Sequence, residues 1–252
     1  MHSTTLTAAD RREWQFHTMA SIDNPKASKA TAYGYLNAIL YMAPAESAGV
    51  GNLCPHAGAC KALCLGLESG QAAIRREGED NPVTLARKAR ARMFMQRRTT
   101  FWQYVVKDIR RLRRMASRAR LKLCYRVNGS SDIGVPIWLL EMFPRVTFID
   151  YTKNPNKMAQ YLAGRFPANY FVTFSRDTHN ERLAERFIGQ GGNVAIVGNV
   201  DAIASDILRL APRVDGDKHD IRTPELDGRG VVVALTPKGH KAKTDTSGFV
   251  VR

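Results

Sequence analysis

Three cysteines, Cys54, Cys60 and Cys64, fall within eleven residues of one another in the run Asn52-Leu53-Cys54-Pro55-His56-Ala57-Gly58-Ala59-Cys60-Lys61-Ala62-Leu63-Cys64. Thiols bunched at this density usually bind a metal, because the thiolate is a strong ligand and buried free thiols have no reason to gather. Loop packing by small apolar side chains is the bland alternative. The spacing, five residues and then three, leaves two cofactors open. Zinc is the expected one, with His56 or Cys124 as a fourth ligand. The alternative is an iron–sulfur cluster, which suits three thiolates with one open position. The spacing differs from the usual three-cysteine pattern of radical enzymes.

Further along, polar residues recur at one kind of position. Apolar stretches at 121–127, 146–149, 170–174, 194–197 and 231–235 read as strands, and another is expected within 33–42. Helix patterns near 137–142, 155–162, 180–188 and 201–210 lie between them. Strands alternating with short helices form a parallel sheet, either a barrel or a doubly wound sheet, and such sheets meet ligands at the carboxyl ends of their strands. At those ends stand Asn128-Gly129-Ser130-Ser131-Asp132, then Asp150-Tyr151-Thr152-Lys153-Asn154, then Ser175-Arg176-Asp177. Asp132 or Asp177 alone would pass as a helix cap. Their recurrence at one edge marks a site. A later run, Arg213-Val214-Asp215-Gly216-Asp217-Lys218-His219-Asp220-Ile221-Arg222, gathers acids with three uses open to them: chelating a cation, bonding the edge of a ligand, or pairing with Arg213 and Arg222.

Charge is concentrated elsewhere. Between Arg87 and Lys122 there are fourteen lysines and arginines against one acid, Asp108, so this stretch carries +13 of the net +15. Asn81 as cap, Pro82 at the first position and an apolar series through Phe94, Phe101, Val105, Ile109, Leu112, Ala116 and Ala119 predict one helix over 82–120. Lys107, Arg111, Arg114 and Arg118 share a second face, with Arg110 and Arg113 beside it. A merely solvated helix alternates signs at four-residue spacing. This one does not, which points to phosphate and so to nucleic acid, DNA being the expected partner.

With 252 residues, 44% of them apolar, the chain can bury a full core. The expected organisation is a polar arm over 1–30 and a single α/β domain over 31–252, holding a metal loop at 50–70 and the basic helix at 82–120. No apolar run approaches the roughly 20 residues of a membrane span. The polar, charged N-terminus is no secretory signal, and bunched cysteines fit a reducing cytoplasm.

Taken together, Leu53-Cys54-Pro55, Asn128-Gly129-Ser130-Ser131-Asp132-Ile133, Phe148-Ile149-Asp150-Tyr151-Thr152-Lys153, Phe174-Ser175-Arg176, Val214-Asp215-Gly216-Asp217, Lys238-Gly239 and Gly248-Phe249-Val250 resemble a family of small bacteriophage proteins in order and spacing. The resemblance extends to phage enzymes that insert 7-deazaguanine bases into DNA, which are similar to tRNA-guanine transglycosylases. It implies parallel βα repeats closing into a TIM-like barrel, complete or incomplete, with the cysteine loop as an N-terminal insertion. It also implies a DNA guanine as substrate, a 7-deazaguanine base as incoming partner, and the cytoplasm of an infected host cell as the setting. Base exchange needs a carboxylate nucleophile and a second carboxyl group for proton transfer. The resemblance brings Asp132 and Asp150 to those two roles without dividing them. It brings Asn128, Ser131, Tyr151, Lys153, Ser175, Arg176, Asp217 and Lys238 to the substrate. One departure stands out: the transglycosylases carry their zinc cysteines late in the chain, whereas here they precede the regular α/β region.

Overall fold

Parallel neighbours cannot be joined by a tight turn, so each pair of strands needs a crossover, and the helices supply it. In the computed structural model, residues 18–23, 28–68 and 80–252 are described; much of the expected 1–30 arm and the end of the 50–70 loop fall outside them. The strands are β1 (Tyr35–Ile39), β2 (Lys122–Arg126), β3 (Thr147–Thr152), β4 (Tyr170–Ser175), β5 (Asn193–Gly198), β6 (Arg213–Asp215), β7 (Val232–Leu235) and β8 (Val250–Val251). They form one sheet in the order β1-β2-β3-β4-β5-β7-β6, with β8 beside β5, and all these pairings are parallel. The sheet curls into a half-barrel.

The helices are α1 (Leu65–Glu68), α2 (Pro82–Gln96), α3 (Arg98–Arg118), α4 (Ile137–Met142), α5 (Pro155–Leu162), α6 (Glu181–Gly189), α7 (Asp206–Leu210), α8 (Pro224–Asp227) and α9 (His240–Lys243). The single helix expected over 82–120 is therefore two. Asn81 does cap the first, accepting from Thr84 N at 2.9 Å. The chain then breaks at Arg97 (φ −134°, ψ 56°), so that Phe94 and Phe101 meet edge to face, 5.2 Å between centroids. The apolar stripe is buried from Phe94 to Ala116, but Ala119 lies past the helix end and is exposed.

Period-two alternation divides each strand between two faces. Leu123, Tyr125, Phe148, Val172, Phe174, Val194, Ile196 and Val232 face outward into the main core, where Ile109, Leu112, Leu139, Met158 and Phe187 of the helices cover them. Cys124, Ile149, Ala195 and Val233 belong to separate inner clusters, and Ile221 completes one of these. The segment after β6 is thus a plug in the half-barrel. A Cβ on Gly216 would lie 2.6 Å from Leu235 Cδ2 and 2.9 Å from Ala234 O, so only glycine lets the plug approach β7 this closely.

Two acids of that run are paired, but not with Arg213 and Arg222 as one of the three sequence readings expected. Asp220 lies 3.5 Å from Arg126 Nη1 and Asp217 takes Lys238, while the buried Arg222 turns to Asp227, outside the run, its Nη1 donating to both carboxylate oxygens at 3.1 Å. Arg213 pairs with Asp201, not with an acid of its own run.

Candidate functional site

A cleft of about 300 Å³ opens over the carboxyl ends of the strands, and Cys54, Cys60 and Cys64 all line it. A different element pins each part of their loop. Near Cys54, Leu53 O accepts from Asp132 N at 2.8 Å, and the Cys54 sulfur lies 3.9 Å from Ser130 O. Cys60 N donates to Asp177 Oδ2 at 3.4 Å. Two residues after Cys64, Gly66 O accepts from Arg87 Nη1 of α2 at 3.0 Å. Arg90 and Arg92 bond Tyr41 O and Ala48 O in the same way. The α2 part of the basic run thus holds the loops above the sheet.

None of the four cysteines forms a disulfide. Burial pushes the Cys54 thiol up to about 11 and raises Cys60 as well, disfavouring the bare thiolates. Cys124 does not join them; it is buried on the inner face of β2 with Tyr35, Ile149 and Ile221. His56 is not among the cleft-lining residues either. Among the described residues, no three Cys, His, Asp or Glu side chains converge closely enough to hold one metal ion.

The loop after β2 forms the next wall. A Cβ on Gly129 would lie 2.8 Å from Leu40 O, so glycine allows the loop to cross the end of β1. Asn128 holds the loop's shape. Its Oδ1 accepts from Ser131 Oγ (2.8 Å) and Ile133 N (3.0 Å), while its Nδ2 donates to Ile133 O and Asp150 Oδ2, both at 3.0 Å. That fills all four positions of the amide. Asn128 and Ser131 both line the cleft and organise its loop; the Asn128 amide has no position left for a purine edge, while the Ser131 hydroxyl can still accept a bond. Asp132 does line the cleft, and it accepts from Thr152 Oγ1 (2.7 Å), Lys153 N (2.8 Å) and Lys157 Nζ (2.8 Å).

Asp150 sits elsewhere. β3 runs on to Thr152 instead of stopping at 149, and alternation turns Asp150 to the helix side, 0% exposed and not among the cleft-lining residues. Its Oδ2 receives Tyr170 OH at 2.6 Å and Lys157 Nζ at 3.2 Å, while its Oδ1 has no partner. Burial raises its pKa, against the pull of Lys157. Burial works to lower Lys157 in turn, and the carboxylates of Asp150 and Asp132 outweigh it. The expected carboxylate pair is thus one cleft acid and one internal acid joined through Lys157. Neither Lys157 nor Tyr170 drew notice in the sequence, where each reads as an ordinary member of an amphipathic element.

Tyr151 faces the cleft beneath Arg126, whose guanidinium carbon lies 4.5 Å from the ring centroid. Lys153 and Ser175 line the cleft; Lys153 Nζ lies 3.5 Å from Asp177 Oδ2 and 5.0 Å from the Phe249 ring centroid. Arg176 does not reach the cleft. It is buried, pairs with Glu181, and donates to Gly248 O at 2.6 Å, clamping the C-terminal segment that carries Phe249. Asp177 caps a short 3-10 turn while holding Cys60, so its capping reading and a role in shaping the site coexist.

Asp217, Lys238 and Thr236 form the far wall. Burial works to raise the Asp217 carboxyl, but bonds from Lys238 and Thr236 outweigh it and hold it at about 2. The folded value lies below the unfolded one, so the contact is complete above about pH 4 and is lost as pH falls towards 2. Lys238→Ala should move the Asp217 titration, followed by carboxyl NMR, back towards an ordinary carboxylate. An unmoved titration would show that Lys238 does not set it.

The family model described as Gene product 88 matches residues 16–252, nearly the whole of this arrangement. The chain belongs to the Gene product 88 family. This is a small phage protein family, as the resemblance of the sequence strings implied. No curated protein and no solved structure matches the chain. Among the described residues, no helix of this Gene product 88 member is long and apolar enough to cross a membrane.

Proposed function

We propose that this protein is an iron–sulfur enzyme of radical type, its cluster held by Cys54, Cys60 and Cys64 at the mouth of a partial TIM-like barrel. One observation carries the reading: three thiols from a single loop line the cleft into which the strand-end residues open. Three thiolates would occupy three irons of a four-iron cluster and leave the last for a ligand. When bound, such a cluster supplies one-electron chemistry at that open position. Lys153 and Lys238 offer ammonium groups to an anionic part of the ligand, and Asp132 and Asp217 accept from its donors. Phe249 covers apolar surface beside Lys153.

Zinc is the less favoured occupant. A tetrahedral zinc with bonds of about 2.3 Å needs its sulfurs roughly 3.8 Å apart. Neither expected fourth ligand joins the three thiols: Cys124 is buried in the inner cluster with Ile149 and Ile221, and His56 is not among the cleft-lining residues. The deciding test is anaerobic reconstitution of the purified chain with ferrous iron and sulfide. A brown protein with bound iron, labile sulfide and a paramagnetic signal on reduction is expected. A colourless protein that takes up one zinc instead would sink the proposal.

A second reading has one observation behind it: Asp132, a carboxylate, lines the cleft. Exchange of guanine in DNA for a 7-deazaguanine base would use Asp132 at the sugar, with its proton partner still to be found, since Asp150 is internal. Incorporation of a labelled 7-deazaguanine base into duplex DNA by iron-free protein would replace the first reading with this one.

A further inference from the structure

We infer that the strand-entry end of the half-barrel, opposite the cleft, docks a nucleic-acid backbone. Helix α3 packs on β1 and β2 and passes through three residues into β2, so its last turns lie at the end away from the cleft. Arg114 and Arg118 are exposed there, followed by Arg120 and Lys122 at the entry to β2. The neighbouring strands repeat the pattern. Arg145 precedes β3 by two residues, Arg165 precedes β4 by five, Arg229 precedes β7 by three, and all three are exposed.

The opposing charge is sparse. The four helices leading into these strands, α3, α4, α5 and α8, carry two exposed acids, Glu141 and Glu225. Their other two acids are buried with partners, Asp108 with Arg111 and Asp227 with Arg222. Arg111 of the expected binding face is one-third exposed and shares its charge with the buried Asp108. A helix dipole favours cations in the last turn of α3. It does not account for Arg145, Arg165 and Arg229, which sit on other segments.

Arg120 belongs to this surface and also closes the helix, its N–H donating to Ser117 O at 3.1 Å. It takes a left-handed conformation (φ 57°) just past the helix end, where glycine is usual and other residues cost about 1–2 kcal/mol. Six of the seven cations are arginines, whose planar fork bonds phosphate oxygens in pairs. Their spread over four strand entries fits a chain of phosphates better than a single one.

This end and the cleft are separate places. Lys122 and Arg126 are the first and last residues of β2, about 13 Å apart along the strand, and only Arg126 lines the cleft. The plug around Ile221 and Arg222 fills the inner face between the two ends. The basic end therefore tethers the protein to its partner and does not feed the cleft, a conclusion independent of which cofactor the cysteines hold.

Fluorescence anisotropy of a labelled DNA duplex, titrated with the full chain over a range of salt, tests this. The combined change Arg114→Gln, Arg118→Gln and Lys122→Gln should weaken binding tenfold or more at low salt. It should also reduce the slope of log affinity against log salt by about three. Arg145→Gln with Arg165→Gln, on different loops, should reduce it by about two, which guards against a folding defect in the first set. Lys153→Gln with Lys238→Gln, in the cleft, should leave the slope unchanged. Slopes that ignore both entry-end sets, or that respond to the cleft set, would overturn the proposal. So would a wild-type chain that binds phosphatidylserine vesicles but no duplex.

Discussion

Cys54→Ala, Cys60→Ala and Cys64→Ala, made singly, are each expected to abolish the visible absorbance and labile sulfide of anaerobically reconstituted protein, while the urea midpoint moves little. Losing one of three thiolates leaves two irons with open positions, and a cluster held by two protein ligands does not persist. The fold should tolerate the change. Each thiol is only half-buried, and the loop's anchors survive alanine: Asp132 N to Leu53 O, Cys60 N to Asp177, and Arg87 to Gly66 O. Truncation of such a small apolar group should cost about 1 kcal/mol. Cys124→Ala is the control. Its thiol is fully buried in the inner cluster with Ile149 and Ile221 and does not line the cleft, so the variant should lose a similar amount of stability and keep its iron. If the four variants behave alike, or Cys124→Ala alone loses iron, the cluster is not where the cleft places it.

Lys157→Met should destabilise the protein by about 3–5 kcal/mol, because it leaves the buried Asp150 carboxylate without its counter-ion. Tyr170 and Asn128 still donate to Asp150, but neither carries charge, and Asp150 Oδ1 already lacks a partner. Methionine fills the volume of the lysine stem, so the loss is electrostatic and not a cavity. Adding Asp150→Asn removes the stranded charge and should recover 1 kcal/mol or more. Urea unfolding of the wild type, both single variants and the double variant measures the coupling directly. A Lys157→Met variant within about 0.5 kcal/mol of wild type would mean that Asp150 is protonated or reached by water.

Both predictions depend on residues of different legibility. The trio of cysteines is close in sequence, so its proximity in space needed no fold to be inferred. The alternation of apolar strands with amphipathic helices likewise announced a parallel sheet, because core burial imposes those periods locally. The strands of two and three residues, β8 and β6, are too short to leave such a pattern. The end of β3 was misjudged because Asp150, Tyr151 and Thr152 are polar enough to read as a loop. Pairing with Val172, Thr173 and Phe174 of β4 keeps them in the strand. One extension of three residues then decides which way each points, and Asp150 goes to the helix side while Tyr151 goes to the cleft.

The basic run shows the same division. Its charge and its helical periodicity are properties of consecutive residues, and they were plain in the sequence. The break at Arg97 was not, since the apolar series continues across it from Phe94 to Phe101. Only the path of the chain separates Arg87 and Arg90, which hold loops above the cleft, from Arg118 and Lys122 at the opposite end. The sequence alone determined which chemistry was present: thiols in a loop, acids and bases at strand ends, and a surplus of cations. The tertiary structure decided which of these groups meet. Hydrogen bonds between residues far apart in the chain, such as Lys157 with Asp132 and Arg176 with Gly248, exist only after the sheet has curled, and local pattern carries no record of them.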